Sequence, residues 1–398
     1  MRHLSSGISW PPPGCERMGD TGSWLRAVNG EFEVVQMSGG TRGTDYVYVE
    51  DAGFFVNVRH LKGSKLVSRE RWGRGRRREV FRVPKNVLVD KVLLRISFTN
   101  SGYVFLRICR VSPEAVDCYD CFSPSEGLAR ALVQRFKPVG GESQFIELYL
   151  GFVVRMVSDI WRVVRSSGFE DIHFGGHAER LYETLTSPYL SLLTSLAIDT
   201  WQGRILSLQE KVSHVAELWV LANIVEALEG EAHPNHRVWW IEFTQNIPLA
   251  VMRSNRLGRY FTAFYQPSIY PHIASMFSSG KKRYHLIPDI AILEGIIEER
   301  LGWGEFHKLV EKGHRPVLLI EVKTGLETSE WRAPQYLVEQ LEAYRKLLDP
   351  KHIMLVVLSR LSPYIRTMVR SRGFEIFDEL LNPAKLKHFK DHIVKTLL

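Results

Sequence analysis

The sequence predicts an α/β fold within an α+β molecule. A C-terminal mixed sheet flanked by helices follows a helical block and an N-terminal β-rich domain. Three observations predict it. Short runs rich in β-branched and aromatic residues, divided by Gly, Asn or Asp, fill residues 31–123. Apolar residues at spacings of three and four run from 125 to about 230, with 124–204 as a helical connector and 205–398 as the C-terminal domain. From 237 onward, strand-like and helix-like segments alternate, the pattern of parallel crossovers.

The 398 residues are enough for two or three domains, and 45% are hydrophobic, so no staple is needed to supply a core. The formal net charge of +8 favours a polyanionic partner. Residues 1–30 read as a loose tail, with Pro11-Pro12-Pro13 and several charges but no signal-peptide core. The longest apolar helix candidate, 146–164, is interrupted by Arg155, Asp159 and Arg162, so no membrane partner is expected and the cytoplasm is the expected location.

In the β-rich domain the expected strands are 32–35, 46–49, 54–58, 87–98 and 103–111. Its cysteines, with Cys15, are the only ones in the chain. Cys118 and Cys121 form a C-x-x-C that Cys109 and Cys15 could complete as a zinc or iron-sulfur site; scattered thiols or a disulfide are the plainer reading. Lys62, Lys65, Arg69, Arg71, Arg74, Arg76, Arg77 and Arg78 are opposed only by Glu70, with Trp72 among them and Gly73 and Gly75 as breakers. This run reads as a flexible loop that contacts nucleic-acid phosphates, with Trp72 available to stack on a base. A solvated loop without a partner is the alternative.

Helices are expected over 128–136, 145–164, 179–201 (broken at Ser187-Pro188) and 206–228. Beyond them, 238–243, 247–252, 260–265, 286–293 and 317–323 read as strands, and 295–312 as a helical excursion. Residues 333–348 read as a helix, 353–358 as an apolar strand, 361–372 as a helix, 374–377 as a short strand, and 378–397 as mostly helix.

The chemistry lies on two of these strands. His285-Leu286-Ile287-Pro288-Asp289 and Leu319-Ile320-Glu321-Val322-Lys323 each end an apolar run with charge. Glu321 and Lys323, two apart on a strand, project from one face. Asp289 on its strand shares a face with Ile287, Ala291 and Leu293, where a carboxylate is costly without a positive partner, and Pro288 predicts a bend or an edge. Glu217 lies on a helical stripe that continues through Leu221, Ile224 and Leu228, with His214 one turn earlier as a packing residue or a support behind the ligands, not a ligand itself. Gln340 and Tyr344 share a face of the helix that follows Glu321 and Lys323.

This order, Glu217, then Pro288-Asp289, then Glu321-Val322-Lys323, then Gln340 with Tyr344, resembles the PD-(D/E)XK nuclease superfamily. The Gln-x-x-x-Tyr element resembles its RecB-like branch. Glu217-Leu218-Trp219 and Phe264-Tyr265-Gln266-Pro267 resemble the nuclease domain of McrC-like restriction subunits. The resemblance spans about residues 200 to 360. It implies a restriction-endonuclease-like core within 205–398 and a metal-dependent nuclease that hydrolyses phosphodiester bonds of DNA in restriction, defence or repair. It also implies Glu217, Asp289, Glu321, Lys323 and Gln340 as catalytic residues, and Mg²⁺ or Mn²⁺ held by Asp289, Glu321, the Val322 carbonyl and Glu217. Tyr344 would pack beside the nucleic acid, and a motor ATPase or GTPase subunit or a homo-oligomer would fit as partner. No cysteine follows Cys121, which argues against the branch members that carry an iron-sulfur cluster. The alternatives are a non-catalytic DNA-binding or scaffold subunit that keeps the fold, and a hydrolase of another phosphate ester.

Overall fold

The computed structural model describes residues 12, 15–18, 24–38, 45–51, 54–72, 76–98, 104–113, 115–121, 124–133, 142–175, 178–196, 198, 201–270, 286–325 and 334–398. His285, Arg74 and the expected loop at 138–141 lie outside them. Helices and strands share these residues in several sheets, an α+β mixed fold. Two units are present, residues 1–150 with 183–208 and residues 151–182 with 209–398. The helical block is therefore divided between the units instead of standing as a body of its own.

In the N-terminal unit the strands are β1 (Glu16–Arg17), β2 (Leu25–Val28), β3 (Glu31–Ser38), β4 (Asp45–Asp51), β5 (Phe54–Asn57), β6 (Lys65–Trp72), β7 (Arg76–Pro84), β8 (Val92–Phe98), β9 (Val104–Val111) and β10 (Val116–Cys121). They form two antiparallel sheets, ordered β1-β10-β9-β8-β4-β5 and β2-β3-β7-β6. One core joins Phe32, Phe81 and Val83 of the smaller sheet, and Trp24 just ahead of it, to Val47, Leu93 and Cys109 of the larger. The opposite face of the larger sheet packs Ile96, Leu106 and Ile108 on Leu128, Leu132, Leu190 and Leu193 of two helices. These helices span Glu126–Val133 and Pro188–Leu196, the second starting at the expected proline break.

Three expectations are corrected here. The tail is built into the fold from Cys15 onward where it is described, because Trp24 and Leu25 are buried. Where it is described beyond the turn at Lys62, the basic run is not a loop but the antiparallel pair β6 and β7, because alternating polar residues suit an edge strand whose outer side faces water. The strand expected from Val87 begins only at Val92; Lys85–Leu88 makes a helical turn, and Asp90 reverses the chain at φ 62°.

The cysteines form two disulfides, Cys15–Cys121 and Cys109–Cys118. Cys118 and Cys121 are three apart on β10 and face opposite sides of the sheet, one in each core. A C-x-x-C on a strand cannot turn both thiols to one ion, so the metal reading of these cysteines fails.

In the C-terminal unit the strands are β11 (Asp171–Phe174), β12 (Gly230–Ala232), β13 (Val238–Ile241), β14 (Gln245–Asn246), β15 (Pro248–Ser254), β16 (Tyr260–Tyr265), β17 (Ile290–Glu294), β18 (Leu301–Gly302), β19 (Pro316–Lys323), β20 (His352–Val357) and β21 (Glu375–Phe377). Seven of them form one mixed sheet, β12-β15-β16-β17-β19-β20-β21. It is antiparallel as far as β19 and parallel from β19 through β21. The crossover helix Pro334–Leu348 joins β19 to β20, and Pro363–Arg370 joins β20 to β21. Every residue of β19 but Lys323 is buried, as a central strand covered on both faces requires. Leu319, Leu355 and Val357 pack on Leu337, Leu341 and Tyr344 of the crossover helix.

Ser362 and Asn382 set the starts of the last two helices: each side chain accepts a backbone N–H of the first turn. The excursion over 295–312 is helical only at His307–Glu311, and its Leu301–Gly302 pairs with β14. Asp289 is a correction in detail. The ladder of β17 starts one residue later, at Ile290, and Leu286 makes an isolated bridge to Ile269. Pro288 has no N–H to give a ladder, so the strand begins beyond it.

Candidate active site

The register of β17 on β19 brings the two halves of the motif together. Ile290 pairs with Ile320, so Val322 runs past the start of β17. Its N–H is taken by the side chain of Asp289, at 2.6 Å from Oδ2. That bond seats the aspartate beside the segment carrying Glu321 and Lys323. On β19 the two-residue spacing does what it predicts: Lys323 Nζ reaches Glu321 Oε1 at 2.7 Å, with both side chains largely buried. Gly325 ends this segment at φ 88°, and a Cβ there would lie 1.7 Å from Ser359 Oγ, so only glycine fits the turn.

The crossover helix looks back over the same carboxylate. Gln340 Nε2 donates to Glu321 Oε1 at 3.2 Å and to the Tyr344 hydroxyl at 2.6 Å. Tyr344 in turn donates to Glu321 Oε2 at 3.1 Å. Burial, then the Glu321 and Asp289 charges, push the Tyr344 hydroxyl well above its ordinary range, which keeps it a donor. Tyr344 is fully buried, so it holds Glu321 in place and does not face nucleic acid, which corrects its expected role.

Glu217 comes from the helix Trp201–Ala227 and is buried, as its apolar stripe requires. Gln266 Nε2 donates to Glu217 Oε2 at 2.8 Å and lies 3.2 Å from His214 Nδ1. His214 sits 3.6 Å from Glu217 and 2.7 Å from the Tyr265 hydroxyl, with the Phe243 ring beside it. Burial alone would lower the His214 imidazole, but the Glu217 carboxylate and the Glu210 charge outweigh it and raise it. His214 is thus bonded to the carboxylate network as well as packed. Gln266 and Tyr265 are site residues that periodicity does not flag, since neither lies on a strand end with charge.

Electrostatics link the three carboxylates. Burial, then the charges of Glu321 and Glu217, push Asp289 well above the usual carboxylate range; Lys323 and the Val322 N–H oppose this only in part. Among the described residues, no three His, Cys, Asp or Glu side chains stand ready around one ion in this geometry. Internal partners hold them: Val322 N–H on Asp289, and Lys323, Gln340 and Tyr344 on Glu321. The donor set itself, three carboxylates and a carbonyl against one buried lysine, fits a hard divalent cation, which would offset the excess negative charge.

The expected nucleic-acid residues lie on β6 and β7 and in the turn before them. Lys62, Lys65, Arg69, Arg71 and Arg77 are exposed, and Arg78 is half-buried. Several are already paired. Arg69 and Arg59 hold the buried Glu79 at 2.8 and 3.7 Å, and Arg78 lies 3.8 Å from Glu70. Arg71 stands directly across from Arg77, with no carboxylate partner for either among the described residues. Trp72 and Arg76 form the last pair of the ladder.

No family model and no curated protein matches the chain. A solved structure, protein VC1899 from Vibrio cholerae, is similar at 12% identity and a TM-score of 0.23, over 64% of this chain and 55% of that one. The chain thus matches little more than half the length of that protein, and at this level neither fold nor activity transfers.

Proposed function

We propose that the C-terminal unit is a divalent-metal-dependent nuclease that hydrolyses phosphodiester bonds of DNA, acting in restriction, defence or repair. The observation that carries the reading is the Val322 N–H to Asp289 bond, which sets Asp289 beside the Glu321–Lys323 pair. An acidic pair, a lysine and a main-chain carbonyl at adjoining strand ends match what a phosphodiester and a hard cation need.

Asp289, Glu321 and the Val322 carbonyl would hold Mg²⁺ or Mn²⁺, with Glu217 completing the set. When bound, the metal supplies an acidified water and charge to offset the attacked phosphate. Lys323 orients the water or stabilises charge developing on phosphate oxygen, at a position fixed by its bond to Glu321. Gln340 and Tyr344 keep the Glu321 carboxylate from turning away. The basic β6–β7 pair supplies sequence-independent phosphate contacts, and a motor ATPase or GTPase subunit fits as an associated partner. Because Glu321 is fully engaged by internal donors, the second reading is a DNA-binding scaffold that keeps the fold without cleavage.

Cleavage of plasmid and linear DNA with Mg²⁺ or Mn²⁺ tests this. Asp289→Ala and Lys323→Ala should each lower the rate by about 10²–10³-fold or more while DNA binding persists. DNA binding without cleavage in the unmodified protein would favour the scaffold. Undiminished cleavage in both variants would exclude this site.

A further inference from the structure

Gln266 occupies an unusual place. It is the first residue after β16, opposite Asp289, where both chains leave the sheet: Tyr265 pairs with Ile290, and the next backbone bond runs from Gln266 N–H to the Asp289 carbonyl at 2.9 Å. Its φ is +46°, in the left-handed region that favours glycine, and it precedes Pro267, which disfavours helical backbone in the residue before it. A turn alone would be served better by Gly or Asn. What Gln adds is reach. With the main chain bonded to Asp289, the side-chain amide extends to Glu217 Oε2 at 2.8 Å, on a helix 49 residues earlier in the chain.

We propose that Gln266 is a positioning residue that ties Glu217 to Asp289 and so sets the spacing of the carboxylates intended for the cation. It touches neither phosphate nor metal. Its left-handed backbone aims the amide away from the sheet and toward the helix Trp201–Ala227, and strain retained at such a place marks a geometric demand. The identity of the bound group rests on the nuclease reading above.

The test uses the full chain and measures Mn²⁺ affinity by calorimetry and thermal unfolding without metal. Gln266→Gly accepts the positive φ without strain but takes a donor from the buried Glu217, so it should stay folded and melt somewhat below the unmodified protein, and bind Mn²⁺ about 10–100-fold more weakly. Gln266→Asn keeps an amide and tolerates the backbone but is one methylene shorter, so its affinity should fall between the two. A folded Gln266→Gly with unchanged Mn²⁺ affinity overturns the proposal; should that variant not fold, unchanged affinity in Gln266→Asn does the same. Asp289→Asn is the control. If the unmodified protein binds Mn²⁺ and Asp289→Asn does not, while Gln266→Gly is unchanged, only the positioning role fails. If the unmodified protein binds no Mn²⁺, the metal reading and the positioning role fall together.

Discussion

Asp289 is the residue on which the site's electrostatics turn. Its carboxyl is raised by burial and by two neighbouring carboxylates, so the folded state binds a proton more tightly than the unfolded chain does. The sign for stability is unfavourable as pH rises. From about pH 4, the unfolded carboxylate value, up through the folded value, the folded state loses stability relative to the unfolded chain. Asp289→Asn removes that slope while keeping an acceptor for the Val322 N–H. The metal-free variant should melt higher than the unmodified protein at neutral pH, by about 2–4 °C for each kcal/mol of repulsion relieved. Mg²⁺ should raise the melting temperature of the unmodified protein more at pH 8 than at pH 5, and should leave Asp289→Asn unmoved. Calorimetric scans across pH check both. Glu321 and Lys323 were legible in the sequence because a strand's period of two fixes their common face. Gln266 stands out there only within the Phe264-Tyr265-Gln266-Pro267 resemblance, and its role does not, because that role depends on a positive φ and a long reach to a distant helix, which no local pattern encodes.

At the scale of elements, the crossover helix has two tasks on one surface. Leu337, Leu341, Tyr344 and Leu348 fill the core, while Gln340 and the Tyr344 hydroxyl grip Glu321. The spacing of three and four that makes the helix amphipathic also delivers the two donors to one carboxylate. Tyr344→Phe keeps the packing and removes one donor from a buried charge. It should cost about 1–3 kcal/mol in denaturant unfolding and lower cleavage together with it. The parallel segments β19 and β20 with this helix were readable from continuous apolar runs flanking a four-turn helical pattern. The β6–β7 pair was not: its glycines and dense cations read as loop, whereas cross-strand ion pairs such as Arg69 with Glu79 make the same composition a stable edge. The strand at Asp289 was read too long because Pro288 stops the ladder without interrupting the apolar pattern.

For the whole molecule, the formal charge of +8 is distributed unevenly in what it can do. Arg69 and Arg78 are spent on Glu79 and Glu70, but Arg71 and Arg77 face each other across the ladder. Like charges placed directly opposite are destabilising alone and are relieved by an anion between them. Changing both to Ala should reduce the slope of log affinity for duplex DNA against log salt by about two, with little loss of fold; filter binding across a salt series measures it. No helix among the described residues is long and apolar enough to cross a membrane.

The Cys15–Cys121 bond gives the N-terminal unit a property apart from folding energy. Residues 15 to 121 are a closed covalent ring, and Cys109–Cys118 closes a smaller ring inside it. A single peptide bond cut anywhere between residues 16 and 120 opens the ring without releasing either piece. Limited proteolysis there should leave the apparent mass on a denaturing gel unchanged until reductant is added, and only then yield two bands. The unit that presents the basic pair would thus stay one molecule after a nick for as long as its surroundings remain oxidising, and would come apart in a reducing one.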